Sequence, residues 1–274
     1  MSGAATVAVV IVSYETRETL LEGLAALGRE APTTVVVVDN ASGDGSAAAV
    51  RERFPAVRLV ANPENVGFAR ACNQGAREAR EPLLLFLNPD ATLAPGSLRT
   101  LAGLFEARPR LGIAGPRTRS ANGDIQVSTG PDLSLASEWR QRRLVRGVAR
   151  RDPGALAEAE RLHAAEREAD WVSGACLMIR REAFEAVSGF DERFFLYEED
   201  ADLCLRARQA GWQVLYSPAA EARHALGRSM ARSPERARLE YQRSHLHYYR
   251  KHRGRAQVAA LRLLLGARAL LARP

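Results

Sequence analysis

The sequence predicts an α/β protein with a mostly parallel central sheet, helices on both faces of that sheet and a C-terminal helical tail. Over the first hundred residues, short runs of apolar β-branched residues alternate with amphipathic stretches, a pattern typical of a parallel sheet buried on both faces. The end of the chain is different, because it is rich in tyrosine, leucine and arginine. At roughly 150 residues per domain, the 274 residues form one large domain or two small ones.

The predicted elements follow one another along the chain. Strands are predicted over residues 7–12, 34–38, 57–61, 83–87 and 171–179, with one more ending near residue 216. Leu20, Leu24 and Leu27 recur at the spacing of a helix packed on a sheet. Further helices are predicted over residues 95–107, 155–169, 181–187 and 201–210. Ligands of such sheets bind beyond the carboxyl ends of the strands, so functional residues are expected just after each strand.

Charge and cysteine content narrow the possible partners and the compartment. The chain has 39 Lys and Arg residues against 32 Asp and Glu residues, and Lys251 is its single lysine. Arginine forms bidentate pairs with phosphate, so this charge suits a phosphorylated small molecule, an anionic membrane or a nucleic acid. The three cysteines are far apart and lack a CxxC spacing, which predicts neither a disulfide framework nor a zinc site. With no signal-like N-terminus, the sequence predicts a cytoplasmic protein.

The C-terminal tail has two competing interpretations. Tyrosines alternate with basic residues over 241–251, and residues 258–271 place leucines and valines around two arginines. The second stretch is too short and too charged to span a bilayer, which takes about 20 apolar residues. It is either an interfacial helix on an anionic membrane surface or a helix docked on the protein's own core.

Polar residues follow the first two predicted strands. Ser13, Tyr14 and Glu15 come after the first strand, and Asp39 follows four valines of the second. A carboxylate at this position of an α/β sheet is placed to bind a base or a ribose. The alternative is that Asp39 only closes a turn and caps the next helix.

A loop and helix start over residues 65–75 favours phosphate binding. Asn65 and Gly67 lie in the loop, and Arg70 lies one turn into the helix. Helix N-termini and arginine both favour phosphate oxygens. The chain contains no GxGxxG and no GxxxxGK[ST] motif, which weakens the dinucleotide-binding and ATP-hydrolysing interpretations.

Two further acidic positions are candidates for chemistry. Asp90 follows the strand at 83–87 in an Asn-Pro-Asp sequence, where a carboxylate and substrate phosphates together suit Mg²⁺ or Mn²⁺. His224 is a candidate second metal ligand, although a lone histidine is more often structural. Residues 198–202 hold four acids beside an aromatic run and before a helix. Some of them are expected to cap that helix, and one is expected to be a general base.

Six segments in this order resemble family 2 inverting glycosyltransferases, and within them the bacterial rhamnosyltransferase branch. The segments are residues 12–15 (VSYE), 37–42 (VVDNAS), 65–75 (NVGFARACNQG), 87–90 (LNPD), 189–192 (GFDE) and 199–206 (EDADLCLR). The resemblance covers about residues 7–229. It implies a GT-A fold, a nucleoside-diphosphosugar donor and a divalent cation, Mg²⁺ or Mn²⁺.

The resemblance also implies roles for the donor-side residues. Asp39 is assigned to the nucleobase or ribose, with Ser13, Tyr14, Glu15, Asn65, Gly67 and Arg70 in the same nucleotide-sugar site. Asn88 and Asp90 occupy the position of the family's DxD motif. Asn88 replaces the first aspartate of that motif, which leaves Asp90 as the carboxylate there. The metal is assigned to Asp90 and His224.

On the acceptor side, the resemblance makes Asp200 the base, with Glu199 in reserve. Trp171, Gly174 and Glu198 are expected to bind the acceptor. Arg228 and Arg232 are expected in a loop that closes over the diphosphate. The expected acceptor is a saccharide or a lipid-linked glycan of the cell envelope, and the first expectation for the donor is thymidine-diphosphate L-rhamnose, ahead of uridine-diphosphate hexoses.

The implied domain is catalytic over residues 1–232, followed by an amphipathic helical tail over 233–274. Its nucleotide-binding half spans about 1–115 and its acceptor half about 116–232, with a surface insertion at about 134–170. The alternative is a non-catalytic nucleotide-sugar binding or scaffold protein of the same fold. A nucleic-acid binder is disfavoured, because the basic residues are scattered among acidic ones and no RNA-binding motif is present.

Overall fold

The computed structural model describes residues 6–225 and 234–271. The strands are β1 Val7–Ser13, β2 Thr34–Asp39, β3 Arg58–Ala61, β4 Leu83–Leu87, β5 Ala91–Leu93, β6 Leu111–Arg119, β7 Thr129–Gly130, β8 Arg167–Glu168, β9 Trp171–Val172, β10 Cys176–Arg180 and β11 Gln213–His224. The helices are α1 Arg17–Leu27, α2 Ser46–Arg53, α3 Phe68–Arg77, α4 Ser97–Ala107, α5 Leu135–Ala149, α6 Pro153–Leu162, α7 Arg181–Ala186, α8 Glu199–Gln209, α9 Pro234–His252 and α10 Arg255–Leu271.

One mixed sheet organises the described residues. Its strand order is β3-β2-β1-β4-β10-β6-β11-β5, with β8 paired on β11. Strands β1, β2, β3, β4, β6 and β11 run in one direction, whereas β5, β8 and β10 run against it. The predicted mostly parallel sheet is therefore confirmed. Residue 115 falls inside β6, so strands from both predicted halves share this sheet.

Helices cover both faces of the sheet, because alternate strand residues point to opposite sides. In β1, Ala8, Val10 and Val12 pack in a core cluster with residues of α3 and α8. The intervening Val7, Val9 and Ile11 pack with residues of α1, α2 and α4. All seven β1 residues are buried. This two-sided burial explains why the strands read as nearly continuous apolar runs.

The tail helix α9 is docked on the protein itself. His245, Tyr248 and Tyr249 are fully buried, and both tyrosines belong to the core cluster on the α3 and α8 face. α9 is therefore part of the folded domain, whereas the two interpretations of the tail concern residues 258–271, which lie in α10. In α10, Leu261 is buried but Leu263 remains 76% exposed. Among the described residues, no helix is both long and apolar enough to cross a membrane.

Two predicted elements in the middle of the chain are wrong. The helix predicted over 155–169 ends at Leu162, and residues 167–168 instead pair with β11 as β8. Asp152 accepts a hydrogen bond from the Ala155 N–H and so caps α6 just before Pro153. The strand predicted over 171–179 is interrupted by a turn at residues 173–175 and forms β9 and β10. The predicted insertion at 134–170 contains α5, α6 and β8.

The start of α4 and the end of β11 differ from the predicted positions. The helix predicted from residue 95 begins at Ser97, because Gly96 adopts φ 80° and forms the N-cap. The strand predicted to end near residue 216 continues to His224 across an irregularity between Ser217 and Glu221. This longer β11 carries His224 to the same sheet edge as the end of β4, because β11 pairs with β5 directly after β4.

Candidate active site

The ends of β1 and β2 form the first part of the site. Ser13 and Asp39 are paired in register at the carboxyl ends of these parallel strands. Asp39 is 3% exposed, and its Oδ2 accepts the Ser42 N–H at 3.0 Å. Its Oδ1 is buried and has no hydrogen-bond partner among the described residues. The carboxylate therefore closes the turn and leaves one buried acceptor atom unpaired, which is costly in the absence of a donor.

Glu15 joins the loops that follow β1 and β2. Its backbone N–H donates to Ser42 Oγ at 3.0 Å, and its side-chain Oε1 accepts the Gly43 N–H at 2.5 Å. Ser13 Oγ lies 3.0 Å from Thr16 Oγ1, and Ser13 is fully buried. Tyr14 is half-buried beside them. The predicted donor-side residues of this loop thus lie together, and Glu15 stabilises the loop backbone.

The start of α3 makes close contact with the segment that precedes Asp200. Asn65 Oδ1 accepts the Gly67 N–H at 3.0 Å, and Gly67 adopts φ 88°. A Cβ at Gly67 would lie 2.8 Å from the Phe195 carbonyl oxygen. Glycine is therefore required here for both conformation and space. Arg70 is exposed, with its Nε 3.6 Å from Glu192 Oε2, so the structure places it against the 189–192 segment.

Asp90, Asn88 and His224 meet at one sheet edge. His224 Nε2 lies 3.1 Å from Asp90 Oδ1 and 3.2 Å from Asn88 Nδ2. The backbone fixes this arrangement, because the Ala225 N–H donates to the Asp90 carbonyl at 3.0 Å. Gln126 Nε2 also donates to the His224 carbonyl at 2.8 Å. The structure thus brings together the residues predicted for the DxD position and the metal.

The donor atoms of this edge fit a divalent cation. A carboxylate oxygen and an imidazole nitrogen point at each other, and both are common ligands of Mn²⁺-type ions. Both side chains are largely buried, with exposed fractions of 6% for Asp90 and 11% for His224. Within residues 6–225 and 234–271, no group of three or more His, Cys, Asp or Glu residues could hold a metal. A cation bound here would complete its coordination with ligand phosphates and water.

Asp200 lies in the first turn of α8, where backbone N–H groups bind its carboxylate. The Gly174 N–H donates to Oδ2 at 2.7 Å, and the Ala201 N–H donates to Oδ1 at 2.8 Å. Burial raises the pKa of the Asp200 carboxyl above its usual value, although both hydrogen bonds oppose that rise. A carboxylate with a raised pKa is a stronger base.

A cavity of about 210 Å³ opens beside Asp200. Trp171 and Glu198, both predicted to bind the acceptor, line it together with Asp200 and Tyr241. Trp171 Nε1 donates to the Pro131 carbonyl at 3.0 Å, which orients the indole. Gly174 is close by, since a Cβ there would lie 3.4 Å from Asp200 Oδ2. The structure therefore assembles the predicted acceptor residues around one carboxylate.

The turn between β9 and β10 links this cavity to the Asp90 edge. The Ala175 carbonyl accepts the Asn88 N–H at 2.9 Å, while the adjacent Gly174 N–H donates to Asp200. The predicted base and the end of the strand that precedes Asp90 thus contact the same short turn.

Glu199 and Glu198 differ from Asp200 in their surroundings. Burial raises the pKa of Glu199 well above its usual value, and the Asp200 charge raises it further. Glu199 does not line the Asp200 cavity. Glu198 adopts φ 63°, and its Oε1 lies 2.6 Å from His245 Nδ1 of α9. Glu198 therefore both lines the cavity and connects it to the tail helix.

Comparison with known proteins identifies the family. Residues 4–257 match the family described as "Glycosyltransferase like family 2". The chain belongs to this family. The chain is 37% identical over 240 residues to an N-acetylglucosaminyl-diphospho-decaprenol L-rhamnosyltransferase of Mycobacterium tuberculosis, covering 82% of this chain and 78% of that protein. A rhamnosyltransferase of Escherichia coli K12 is 46% identical over 55 residues, or 20% of this chain and 21% of that protein. The resemblance seen in the sequence is confirmed.

Solved structures confirm the GT-A-like fold. A mannosyltransferase from Pyrobaculum calidifontis in complex with GDP-Man and Mn²⁺ superposes with a TM-score of 0.63 at 20% identity, covering 91% of this chain and 64% of that one. A Staphylococcus aureus protein, TarS 1–349 in complex with UDP-GlcNAc, superposes with a TM-score of 0.56 at 16% identity, covering 93% and 70%. At these identities the likeness concerns the fold alone.

Sequence reasoning missed several residues of this family 2 site. Glu138 and His245 lie next to Glu198, and Gln126 holds the backbone of His224. Tyr241, His245 and Tyr249 recur at i, i+4 and i+8, which is the stripe of a helix that buries one face. That spacing was the available signal for His245. Arg228 and Arg232, predicted to close over the diphosphate, lie outside the described residues.

Proposed function

We propose that this glycosyltransferase moves a sugar from a nucleoside diphosphate to an acceptor hydroxyl with inversion at the anomeric carbon. The observation that carries the proposal is the turn at residues 173–175, which joins the Asp200 carboxylate to the strand end bearing Asp90. The proposed sugar is L-rhamnose, and the proposed acceptor is N-acetylglucosamine on a lipid diphosphate. Both choices are supported by the 37% identical mycobacterial relative.

Asp200 is the proposed general base. Its carboxylate lines the cavity where the acceptor hydroxyl would lie, and it would take the proton of that hydroxyl as the oxygen attacks the anomeric carbon. Attack from the face opposite the diphosphate inverts the configuration. The hydrogen bonds from Gly174 and Ala201 hold the carboxylate in one orientation, so it is ready for the proton before the acceptor binds.

Asp90 and His224 are the proposed ligands of a divalent cation, Mg²⁺ or Mn²⁺. Such an ion, when bound, supplies positive charge that stabilises the departing diphosphate. The two side chains lie 3.1 Å apart, and Asn88 extends the polar edge. Asp39 would accept a hydrogen bond from the ribose or the base through its unpaired Oδ1.

Donor turnover tests the proposed function. Purified protein is incubated with Mn²⁺ or Mg²⁺, a panel of thymidine-, uridine- and guanosine-diphosphate sugars, and N-acetylglucosamine diphosphate carrying a short prenyl chain. We expect metal-dependent release of one nucleoside diphosphate, which falls at least about 100-fold in Asp90→Ala and His224→Ala. Chelation should abolish it reversibly, and nuclear magnetic resonance should show the opposite anomeric configuration in the product.

The matched control is Asp124→Asn, which changes a carboxylate paired with Arg151 on the surface. Its turnover should equal that of the unmodified protein. Calorimetry with the same donors measures donor affinity and so tests the alternative of a non-catalytic nucleotide-sugar binding protein. Tight donor binding without turnover of any acceptor would favour the non-catalytic binding protein over the transferase.

Asp39 should determine donor affinity rather than the chemical step. We expect Asp39→Ala to raise the donor KM by about 10- to 100-fold with a small change in kcat, because a hydrogen bond to a charged group contributes about 1.5–3 kcal/mol. Steady-state kinetics and calorimetric donor affinity measure the effect. A lowered kcat at unchanged KM would place Asp39 outside the donor site, and circular dichroism checks that the loss of the Ser42 contact leaves the fold intact.

A further inference from the structure

A groove of about 1130 Å³ lies between α5, α6 and α10. Trp139, Arg143 and Arg146 of α5 and Arg150 at its C-cap line it, at the i, i+4, i+7 and i+11 spacing of one helix face. Leu264 of α10 lies among the apolar residues that line it from the opposite side. The groove is therefore bounded by guanidinium groups on one helix and by aliphatic side chains on another.

The positive charge of the groove is largely free. Arg143, Arg146 and Arg150 are exposed, and none of them forms a side-chain ion pair with another residue in the described part of the chain. Three acids line the groove: Asp152 caps α6, Glu138 is paired with Arg142, and Glu158 of α6 is exposed, so the arginines remain in excess. Unpaired guanidinium groups that converge on one concavity suit an anion that accepts several hydrogen bonds, above all a diphosphate.

The groove also has exposed apolar surface. Trp139 is 65% exposed and Leu264 is 48% exposed, although both lie beside charged residues. Large apolar side chains grouped in a concavity mark a binding site for an apolar ligand. A ligand that satisfies both halves of the groove must join a diphosphate to a hydrocarbon chain.

The groove is continuous with the cavity at Asp200. Glu138 and Arg142 line both, and Arg142 also donates to the hydroxyl of Tyr241, which lines the cavity. A molecule whose sugar hydroxyl lies at Asp200 would therefore pass Arg142 before it reaches Trp139. The order along this path is sugar site, guanidinium groups and apolar wall.

We propose that the groove binds the diphosphate and the first isoprene units of a polyprenyl-linked acceptor. The inference rests on the proposed function, which places the acceptor sugar at Asp200. The α5 arginines hold the diphosphate, and Trp139 and Leu264 cover the hydrocarbon. Leu263, which is 76% exposed and does not line the groove, takes no part in this contact.

Direct binding tests the proposal without turnover. The probe is farnesyl diphosphate, titrated by calorimetry into the full chain in the presence of EDTA, so that no cation supports diphosphate binding at the donor site. We expect Trp139→Ala and the double variant Arg143→Gln/Arg146→Gln each to weaken binding at least about tenfold. The control is Arg51→Gln/Arg53→Gln, which changes two exposed arginines of α2 and should bind the probe unchanged.

Three comparisons decide the outcome. Inorganic diphosphate and farnesol should each bind far more weakly than farnesyl diphosphate, and equal binding of inorganic diphosphate would overturn the apolar half of the site. Unchanged farnesyl diphosphate binding in both groove variants would overturn the whole proposal. Vesicles of anionic lipid are the third comparison. If the groove variants lost binding to these vesicles but not to farnesyl diphosphate, the surface would be assigned to the membrane and the proposal would be overturned.

Donor binding separates this inference from the proposed function. The groove variants should bind the nucleoside-diphosphate sugar with unchanged affinity. Their KM for a prenylated acceptor should rise, and it should rise more than their KM for an acceptor that carries a methyl group in place of the prenyl chain. If the groove binds farnesyl diphosphate but no donor is turned over, the proposed function fails and the groove assignment stands.

Discussion

The Asp200→Asn variant is expected to lose about 10²- to 10⁴-fold in kcat while retaining donor affinity, which is the range for removal of a general base. Asparagine keeps the size of the side chain and can still accept the Gly174 N–H, but it cannot take a proton. Single-turnover measurements with saturating donor and acceptor give kcat for the chemical step, and calorimetry gives donor affinity.

Glu199→Gln distinguishes the two carboxylates. Burial raises the pKa of Glu199 well above its usual value, so a neutral amide resembles its protonated form. We expect this variant to lose far less activity than Asp200→Asn. An exchange of the two results would make Glu199 the base, despite its absence from the cavity lining.

The pH dependence of kcat follows from the raised pKa of Asp200. The base must be ionised to accept a proton, so kcat should fall as the pH falls through the pKa of Asp200 in the bound enzyme. Because burial raises this pKa, the fall should begin at a higher pH than the ordinary aspartate value of about 3.9 would give. A profile that is flat down to about pH 4 would contradict this role.

Local patterns in the sequence predicted the sheet well, because its core strands are nearly uniform apolar runs. β1, β2 and β4 lie within a residue of their predicted ranges. The same patterns predicted Asp39, Asp90 and Asp200, since each directly follows an apolar strand or opens a helix. Their assignment to one site came from six motifs in order, which is information about the family rather than about periodicity.

Local sequence patterns could not predict the contacts between distant segments of the chain. Glu138 and Glu198 are separated by 60 residues in the sequence, and neither position has a local feature that shows it binds His245. The helix predicted over 155–169 was wrong for a similar reason. Residues 167–168 pair with β11, and that tertiary pairing outweighs the alanine and glutamate content of the segment.

His245 joins three parts of the protein through two buried carboxylates. Its Nδ1 lies 2.6 Å from Glu198 Oε1, and its Nε2 lies 3.2 Å from Glu138 Oε2. The hydroxyl of Tyr249 donates to the other oxygen of Glu138 at 2.5 Å. Burial disfavours a charged imidazole, but the contacts with the Glu138 and Glu198 carboxylates outweigh it and raise the pKa of His245 to about 9. The imidazolium therefore connects α5, the N-cap of α8 and α9 at neutral pH.

His245→Leu is expected to lower the free energy of unfolding by about 3–5 kcal/mol, because it removes the charged partner of the buried Glu198 and one of the partners of the buried Glu138. Urea denaturation at pH 7 measures the loss. The matched control is His247→Gln on the same helix, whose Nε2 lies 3.6 Å from Asp191. That side chain is more exposed, so its loss should cost less than about 1 kcal/mol. Equal costs in the two variants would contradict a special role for His245.

The stability difference should also depend on pH, with a definite sign. The folded pKa of His245, about 9, exceeds the unfolded value of about 6.5. Its contribution is therefore complete below about pH 6.5 and disappears as the pH rises through about 9. The gap between the unmodified protein and His245→Leu should narrow between pH 7 and pH 10, as measured by denaturation at each pH. A constant gap would mean that His245 packs as a neutral ring.

Since Glu198 lies two residues before Asp200, a charged bridge would also hold the base in place, and kcat of the unmodified enzyme should fall over the same alkaline range.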